Sequence, residues 1–198
     1  LNCKVCQLVK LFKSGIPYKM SKRSGEFISV QDLLNEVDKD PIRFMMLNRS
    51  NDVELDFDFD KVKAKTKDNP VFYVQYANAR INSLLRSLNT NLVKKIELKD
   101  SEFNLNQIEE KILRKVFEWP KIIESASRKF DLHKIPYYLY ELSTLFHAYW
   151  SKGNEDKKYK FIENQKIKRE ETLIIISLVS IVIKNGMTIL GVSLPEKM

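Results

Sequence analysis

The sequence holds 198 residues, 43% of them hydrophobic, with 34 Lys and Arg against 26 Asp and Glu and a formal charge of +8. That length and apolar content allow a buried core in one domain or two small ones, which excludes a wholly solvated, unstructured chain. The positive balance, with a pI near 9.3, favours an anionic partner, nucleic acid first among them.

No charged leader with an apolar stretch and a small-residue cleavage site follows Leu1, so the start reads as a truncation or fragment boundary. Cys3 and Cys6 form a C-x-x-C pair. A zinc site needs four ligands, and neither His133 nor His147 has a partner at ligand spacing. The pair therefore reads as packed or incidental thiols of a reducing compartment, and no metal is expected. Val5 to Phe12 is mostly apolar and predicts a strand, with Ser14 to Pro17 as its turn. A basic loop follows, Lys19 to Gly25.

Ser29 is placed to cap a helix over Val30 to Glu36, with Asp32 in its first turn. A second helix is predicted over Pro41 to Arg49, with proline at its first position. From Val53 to Asp60 apolar and acidic residues alternate, which predicts an extended segment with one apolar face. Its carboxylates read as solvated, or as helix caps and ion pairs for the nearby basic loop, rather than as metal ligands.

From about Asp68 onward the period is helical and glycine is scarce. Helices are predicted over Pro70 to Asn89, Gln107 to Glu118, Lys121 to Phe130 and Ile135 to Trp150. A polar loop is expected at Gly153-Asn154-Glu155, a short helix at Asn164 to Lys166, a helix over Lys168 to Lys184, and a tail from Gly186 to Met198. The apolar run Leu173 to Ile183 is shorter than the roughly 20 residues that span a bilayer, so it predicts a core helix and no membrane partner. His147 falls among Leu142, Leu145, Phe146 and Tyr149 and reads as a satisfied bundle histidine. Lys166, Lys168 and Arg169 read as a basic helix start, solvated and attractive to an RNA backbone. The second part is thus an antiparallel helix bundle.

The loop carries the first chemistry. Mobile Lys and Arg side chains beside Ser24 and Gly25 can close over a polyphosphate and stabilise developing charge, or else form a solvated or nucleic-acid-facing patch, as most charge runs do. The order Lys19-Met20-Ser21-Lys22-Arg23 resembles the Lys-Met-Ser-Lys-Ser signature of class I aminoacyl-tRNA synthetases, departing at Arg23. Asp40-Pro41-Ile42-Arg43-Phe44 is similar to the D-x-x-R-F/Y helix that follows the loop in that class. Leu55-Asp56-Phe57-Asp58 resembles the L-x-F-D of the arginyl-tRNA synthetase family. The segment from Asn69 to Arg80 is close to that family's N-P-V-Y-Y-V-Q-Y-A-H-A-R, with Phe72 and Asn78 as the departures. The ending Leu190 to Met198 resembles its L-G-I-x-x-P-E-R/K-M.

The resemblance implies a mainly α chain. Residues 1–25 would be the end of a Rossmann-like catalytic domain, 26–66 a connecting stem-contact segment, and 67–198 an all-α anticodon-binding bundle. It implies ATP as substrate, with Mg2+, and arginine and tRNA(Arg) as further partners of a monomeric, cytoplasmic ligase. Lys22 would stabilise the transition state at the α-phosphate, Lys19 would assist, and Met20, Ser21 and Arg23 would complete the ATP loop. The class signature His-Ile-Gly-His is not in the chain, so these residues alone are not expected to catalyse. The alternative is a non-catalytic tRNA-binding module or synthetase-derived interaction protein.

Tyr73, Tyr76 and Arg80 fall three and seven positions along one helix and share a face. Two rings and a guanidinium there can stack unpaired bases and meet phosphate, or else pack in the bundle with the arginine solvated. The resemblance implies the first, and it adds Tyr149 and Met198 to the same pocket.

Overall fold

The computed structural model describes residues 3–18, 28–88, 104–163 and 166–198. Strand β1 (Val9–Lys13) turns through Ser14 and Gly15 into β2 (Ile16–Pro17), and it pairs in parallel with β3 (Leu55–Asp58). The sheet order is β2-β1-β3. Between β1 and β3 the chain makes α1 (Val30–Glu36) and α2 (Lys39–Leu47). Ser29 and Asp32 close a capping box at the start of α1, as their spacing predicts. Helix α2 begins before the expected proline: Pro41 sits in its first turn, where a missing N–H costs no internal bond.

The alternating segment behaves as its pattern indicates. Leu55 and Phe57 are buried, while Asp58 caps a short helix α3 (Phe59–Lys63) that the alternation hid. Asp60 accepts from the Ser14 N–H and hydroxyl, each at 2.8 Å. Leu11, Leu33, Val37, Leu55, Phe57, Phe59 and Val62 form one small core.

The rest is a helix bundle. Its elements are α4 (Pro70–Ser87), α5 (Gln107–Phe117), α6 (Trp119–Lys129), α7 (Lys134–Glu155) and α8 (Glu170–Leu190). Their apolar faces make a second, larger core around Ile81, Ile112, Leu139, Leu142, Phe146, Ile176 and Ile183. Phe44 of α2 is fully buried in it.

Three expectations need correction. Helix α7 runs through Gly153-Asn154-Glu155 instead of ending at Trp150. Gly153 is there because the returning chain presses on it: a Cβ would lie 2.8 Å from the Tyr159 carbonyl oxygen. The expected helix at 164–166 is replaced at Lys166 by a strand: β5 (Lys166–Ile167) pairs with β4 (Ile162–Glu163), entered through a 3-10 turn at Lys157–Tyr159, and 164–165 lie outside the described residues. Helix α8 continues past Lys184 to Leu190, so at 21 residues, with mean hydropathy 2.1, it is long and apolar enough to cross a membrane. Its place is decided by packing instead, since Ile175, Ile176, Val179 and Ile183 are sealed in the bundle and Thr172, Ser177 and Ser180 are buried with them.

Helix α8 ends at Gly191, whose φ of +65° suits glycine. Arg43 of α2 donates to the Leu190 carbonyl there, placing a cation at a helix C-terminus. The chain then folds back along α4. Ser193 N–H donates to Asp40 at 3.1 Å, Gln75 to the Ser193 carbonyl at 3.0 Å, and Asn78 to the Pro195 carbonyl at 3.1 Å. Arg86 holds the Glu196 carbonyl at 3.2 Å and 3.3 Å.

Candidate nucleic-acid interface

One open groove of about 470 Å³ lies where the tail, α4 and α7 meet. Tyr76, Ala79, Arg80, Ser83 and Arg86 line it from α4, Trp150 from α7, and Lys197 and Met198 from the tail. Its size falls within the roughly 300–1,000 Å³ of small-ligand sites.

Arg80 stands at its centre. The guanidinium carbon is 4.4 Å from the Tyr76 ring centroid and 5.3 Å from that of Trp150. Such cation–π contacts fix an arginine without neutralising it. A third restraint comes from His147, whose Nδ1 lies 3.1 Å from an Arg80 guanidinium nitrogen. On the other side, the His147 Nε2 lies 3.1 Å from the Tyr73 carbonyl oxygen. Burial pushes the His147 pKa down to about 4, the Tyr73 bond works against that shift, and the Arg80 charge adds to it. The imidazole is therefore neutral, with its proton on Nε2 for the carbonyl and its lone pair on Nδ1 for Arg80.

The aromatic face continues along α4. Tyr76 stacks on Phe72 at 5.8 Å with rings 16° apart, so Phe72 serves as a ring at its departure from the family pattern. Tyr73 packs on His147 at 4.2 Å and on Tyr140 at 5.5 Å. Burial and the neighbouring Tyr140 raise the Tyr73 pKa, so its phenol stays protonated.

The structure brings together Tyr76, Arg80 and Met198 in the groove, with Met198 about half exposed. Tyr73 does not line that groove; it supports it from beneath through His147. Tyr149 is placed elsewhere. It is 2% exposed, and its hydroxyl donates to Glu109 at 2.5 Å inside the bundle. Glu109, fully buried, also accepts from Arg169 at 3.1 Å, from Thr172 at 3.2 Å and from the Asn106 N–H at 2.9 Å. The position expected of Tyr149 belongs to its neighbour Trp150, one residue and about 100° further round the helix.

Trp150, Arg86 and Lys197 are groove residues that the sequence reading missed. Arg86 lies six residues beyond Arg80, about 120° round the helix from it, and its place at the groove comes from the tail it holds at the Glu196 carbonyl. The loop residues Lys19, Met20, Ser21, Lys22 and Arg23 lie outside the described residues. Cys3 and Cys6 are free and exposed, not packed. Among the described residues no three His, Cys, Asp or Glu side chains gather as a metal site.

Comparison with known proteins gives the family. The DALR anticodon binding domain family matches residues 74–198. The chain is 56% identical over 198 residues to an arginine–tRNA ligase of Pelagibacter ubique, covering all of this chain and 34% of the relative. It is 43% identical over 203 residues to the arginine–tRNA ligase of Ruegeria pomeroyi, covering 35% of it. Thus the chain spans about a third of the length of the curated relatives it matches. A solved structure described as an arginyl-tRNA synthetase from Campylobacter jejuni superposes with a TM-score of 0.80 at 31% identity, over 98% of this chain and 40% of that one. The Thermus thermophilus arginyl-tRNA synthetase shares the fold, with a TM-score of 0.65 at 20% identity over 95% of this chain and 34% of that one.

Proposed function

The chain belongs to the DALR anticodon-binding domain family, and from that premise we propose that its groove receives the anticodon loop of tRNA(Arg) within an arginine–tRNA ligase. The observation that carries this reading is Arg80, held between the Tyr76 and Trp150 rings and fixed by a neutral His147. An unpaired base can stack on such rings while the guanidinium reads its polar edge or meets its phosphate. Lys197 and Arg86 at the rim add positive charge for the backbone.

Under the same reading, residues 1–25 are the end of a Rossmann-like catalytic domain, 26–66 are a connecting stem-contact segment, and 67–198 are the anticodon-binding bundle. The parallel pairing of β1 with β3 across two helices supports a Rossmann-like origin for this sheet, which takes its third strand from the 26–66 segment. Lys22 and Lys19 would act on the phosphates of Mg2+-bound ATP during arginine activation, with Met20, Ser21 and Arg23 shaping the loop. The rest of the ATP site and the arginine pocket would come from the remainder of a monomeric, cytoplasmic enzyme.

The test is binding of a fluorescent anticodon stem–loop of tRNA(Arg), read by anisotropy. Arg80→Ala should weaken it by ~1–3 kcal/mol, the range for losing an aromatic or cation–π contact to a base. Equal affinities for the wild type and Arg80→Ala would refute the groove as the reading site.

A further inference from the structure

A second concavity of about 270 Å³ adjoins the groove, bounded by α4, α7 and the segment from Lys160 to Ile162. Ser83 and Trp150 line both. The Trp150 indole meets Arg80 in the groove and the Phe161 ring edge-on at 5.5 Å beside the slot. Ser87, Asn154 and Lys160 bring a hydroxyl, an amide and an ammonium to walls that are otherwise mostly apolar. Flat apolar walls with a few polar groups suit a planar heterocycle.

The lining of this slot carries one cation, Lys160, and no carboxylate. Lys157, Lys158, Lys160 and Lys166 are all exposed on the turn and ladder that carry it. Among the described residues no carboxylate lies within ion-pair distance of these four; the neighbouring Lys168 and Arg169 are the ones that pair, with Glu163 and Glu109. The same segment also exposes Glu155, Asp156 and Glu163, but a lining that offers an ammonium and no carboxylate suits a phosphate. Gly153 fixes the arrangement, because its missing side chain lets the Tyr159 backbone close on α7.

We propose that this slot is a second nucleotide subsite, taking the base next in the strand to the one in the Arg80 groove. Trp150 divides the two bases, and Lys160 meets the phosphate between them. The inference rests on the groove being an RNA site, and it adds a second base and a backbone path along the 157–166 segment. The ligand is single-stranded RNA in a loop, since only splayed bases enter both concavities.

The experiment is an abasic scan of an anticodon stem–loop RNA against the 198-residue chain and two variants. For the wild type, abasic replacement at two adjacent loop positions should each weaken binding about tenfold, within the range of one lost stacking contact. Ser87→Phe fills the slot without touching the groove lining. It should weaken the intact RNA about tenfold and abolish the penalty at one of the two positions. Arg80→Ala should abolish the penalty at the other. Lys158→Ala with Lys160→Ala should lower the slope of log affinity on log salt by about 0.7 per lysine. A single sensitive position, or Ser87→Phe binding the intact RNA as the wild type does, overturns the second subsite and leaves the groove standing. No binding by the wild type, or an Arg80→Ala variant that binds equally, overturns the groove and the slot together. The abasic scan is made on the RNA, so it decides the question even where a variant folds poorly.

Discussion

Arg80 and His147 are joined across α4 and α7 by a 3.1 Å bond in which the guanidinium donates to the Nδ1 lone pair. The histidine is a positioning residue: it has no place in the groove lining, yet it fixes the arginine that does. His147→Phe keeps the ring stacking on Tyr73 and removes the acceptor. It should reduce affinity for the stem–loop by roughly 1 kcal/mol, the size of one hydrogen bond. His147→Gln, which restores an acceptor, should recover part of it. Anisotropy titrations of the two variants, side by side, check the order.

The same histidine makes stability depend on pH. Its folded pKa is lowered from 6.5 to about 4, first by burial. Above pH 6.5 neither the folded nor the unfolded imidazole is charged, so this group adds no slope. As pH falls below 6.5 the unfolded chain binds a proton that the folded chain refuses, and stability declines until the folded ring titrates near pH 4. The loss is about 3 kcal/mol across that window. Urea midpoints at pH 7.5, 5.5 and 4.5 should fall more steeply for the wild type than for His147→Gln.

Tyr149 separates stability from recognition. Its hydroxyl serves the fully buried Glu109, and burial, with the adjacent carboxylate, drives the phenol pKa far up, so it stays protonated and donates to that carboxylate. Tyr149→Phe leaves that carboxylate one donor short and should cost about 1–3 kcal/mol. Affinity for the stem–loop, measured well below the melting temperature, should be unchanged. Trp150→Ala should do the reverse, weakening binding more than it lowers the melting temperature.

The tail is held by α2 as well as by α4. Arg43 bonds the Leu190 carbonyl, and Asp40 accepts from Ser193. Asp40→Asn should raise the hydrogen-exchange rate of the Ser193 amide by loosening a charge-assisted contact, and Arg43→Ala should destabilise the chain by about 1–2 kcal/mol. Gly191→Ala meets two penalties, a φ of +65° and a Cβ placed 2.8 Å from the Arg43 Nε. It should cost at least 1–2 kcal/mol on the backbone alone, by the general rule for left-handed conformations. Thermal melts of the three variants give the ranking.

What was legible in the sequence was the strongly periodic part. Helices α4, α5 and α6 sit within about two residues of their expected bounds over the described residues, since caps such as Asn69-Pro70 and Asn106…Glu109 are local signals. The continuation of α7 was not legible, because Gly-Asn-Glu is loop chemistry unless something packs closely enough to require glycine, and here Tyr159 does. Two-residue strands carry no periodicity, which hid the β4–β5 ladder. The motif identified Tyr76 and Arg80 as partners, but a one-residue ambiguity on α7 exchanged a half-buried groove ring for a fully buried one. Only the packing of α5 and α8 against α7 tells Trp150 from Tyr149.

Phe44 has a thermodynamic corollary. It is sealed in the bundle core, while Ile42, Met45 and Met46, on the same two turns of α2, pack on the smaller core of Leu11, Leu33 and Phe57. One rigid helix thus belongs to both cores, and neither can be lost without exposing part of its surface. The two should melt in a single transition, with equal calorimetric and van't Hoff enthalpies, and a cavity made by Phe44→Ala should split that transition in two.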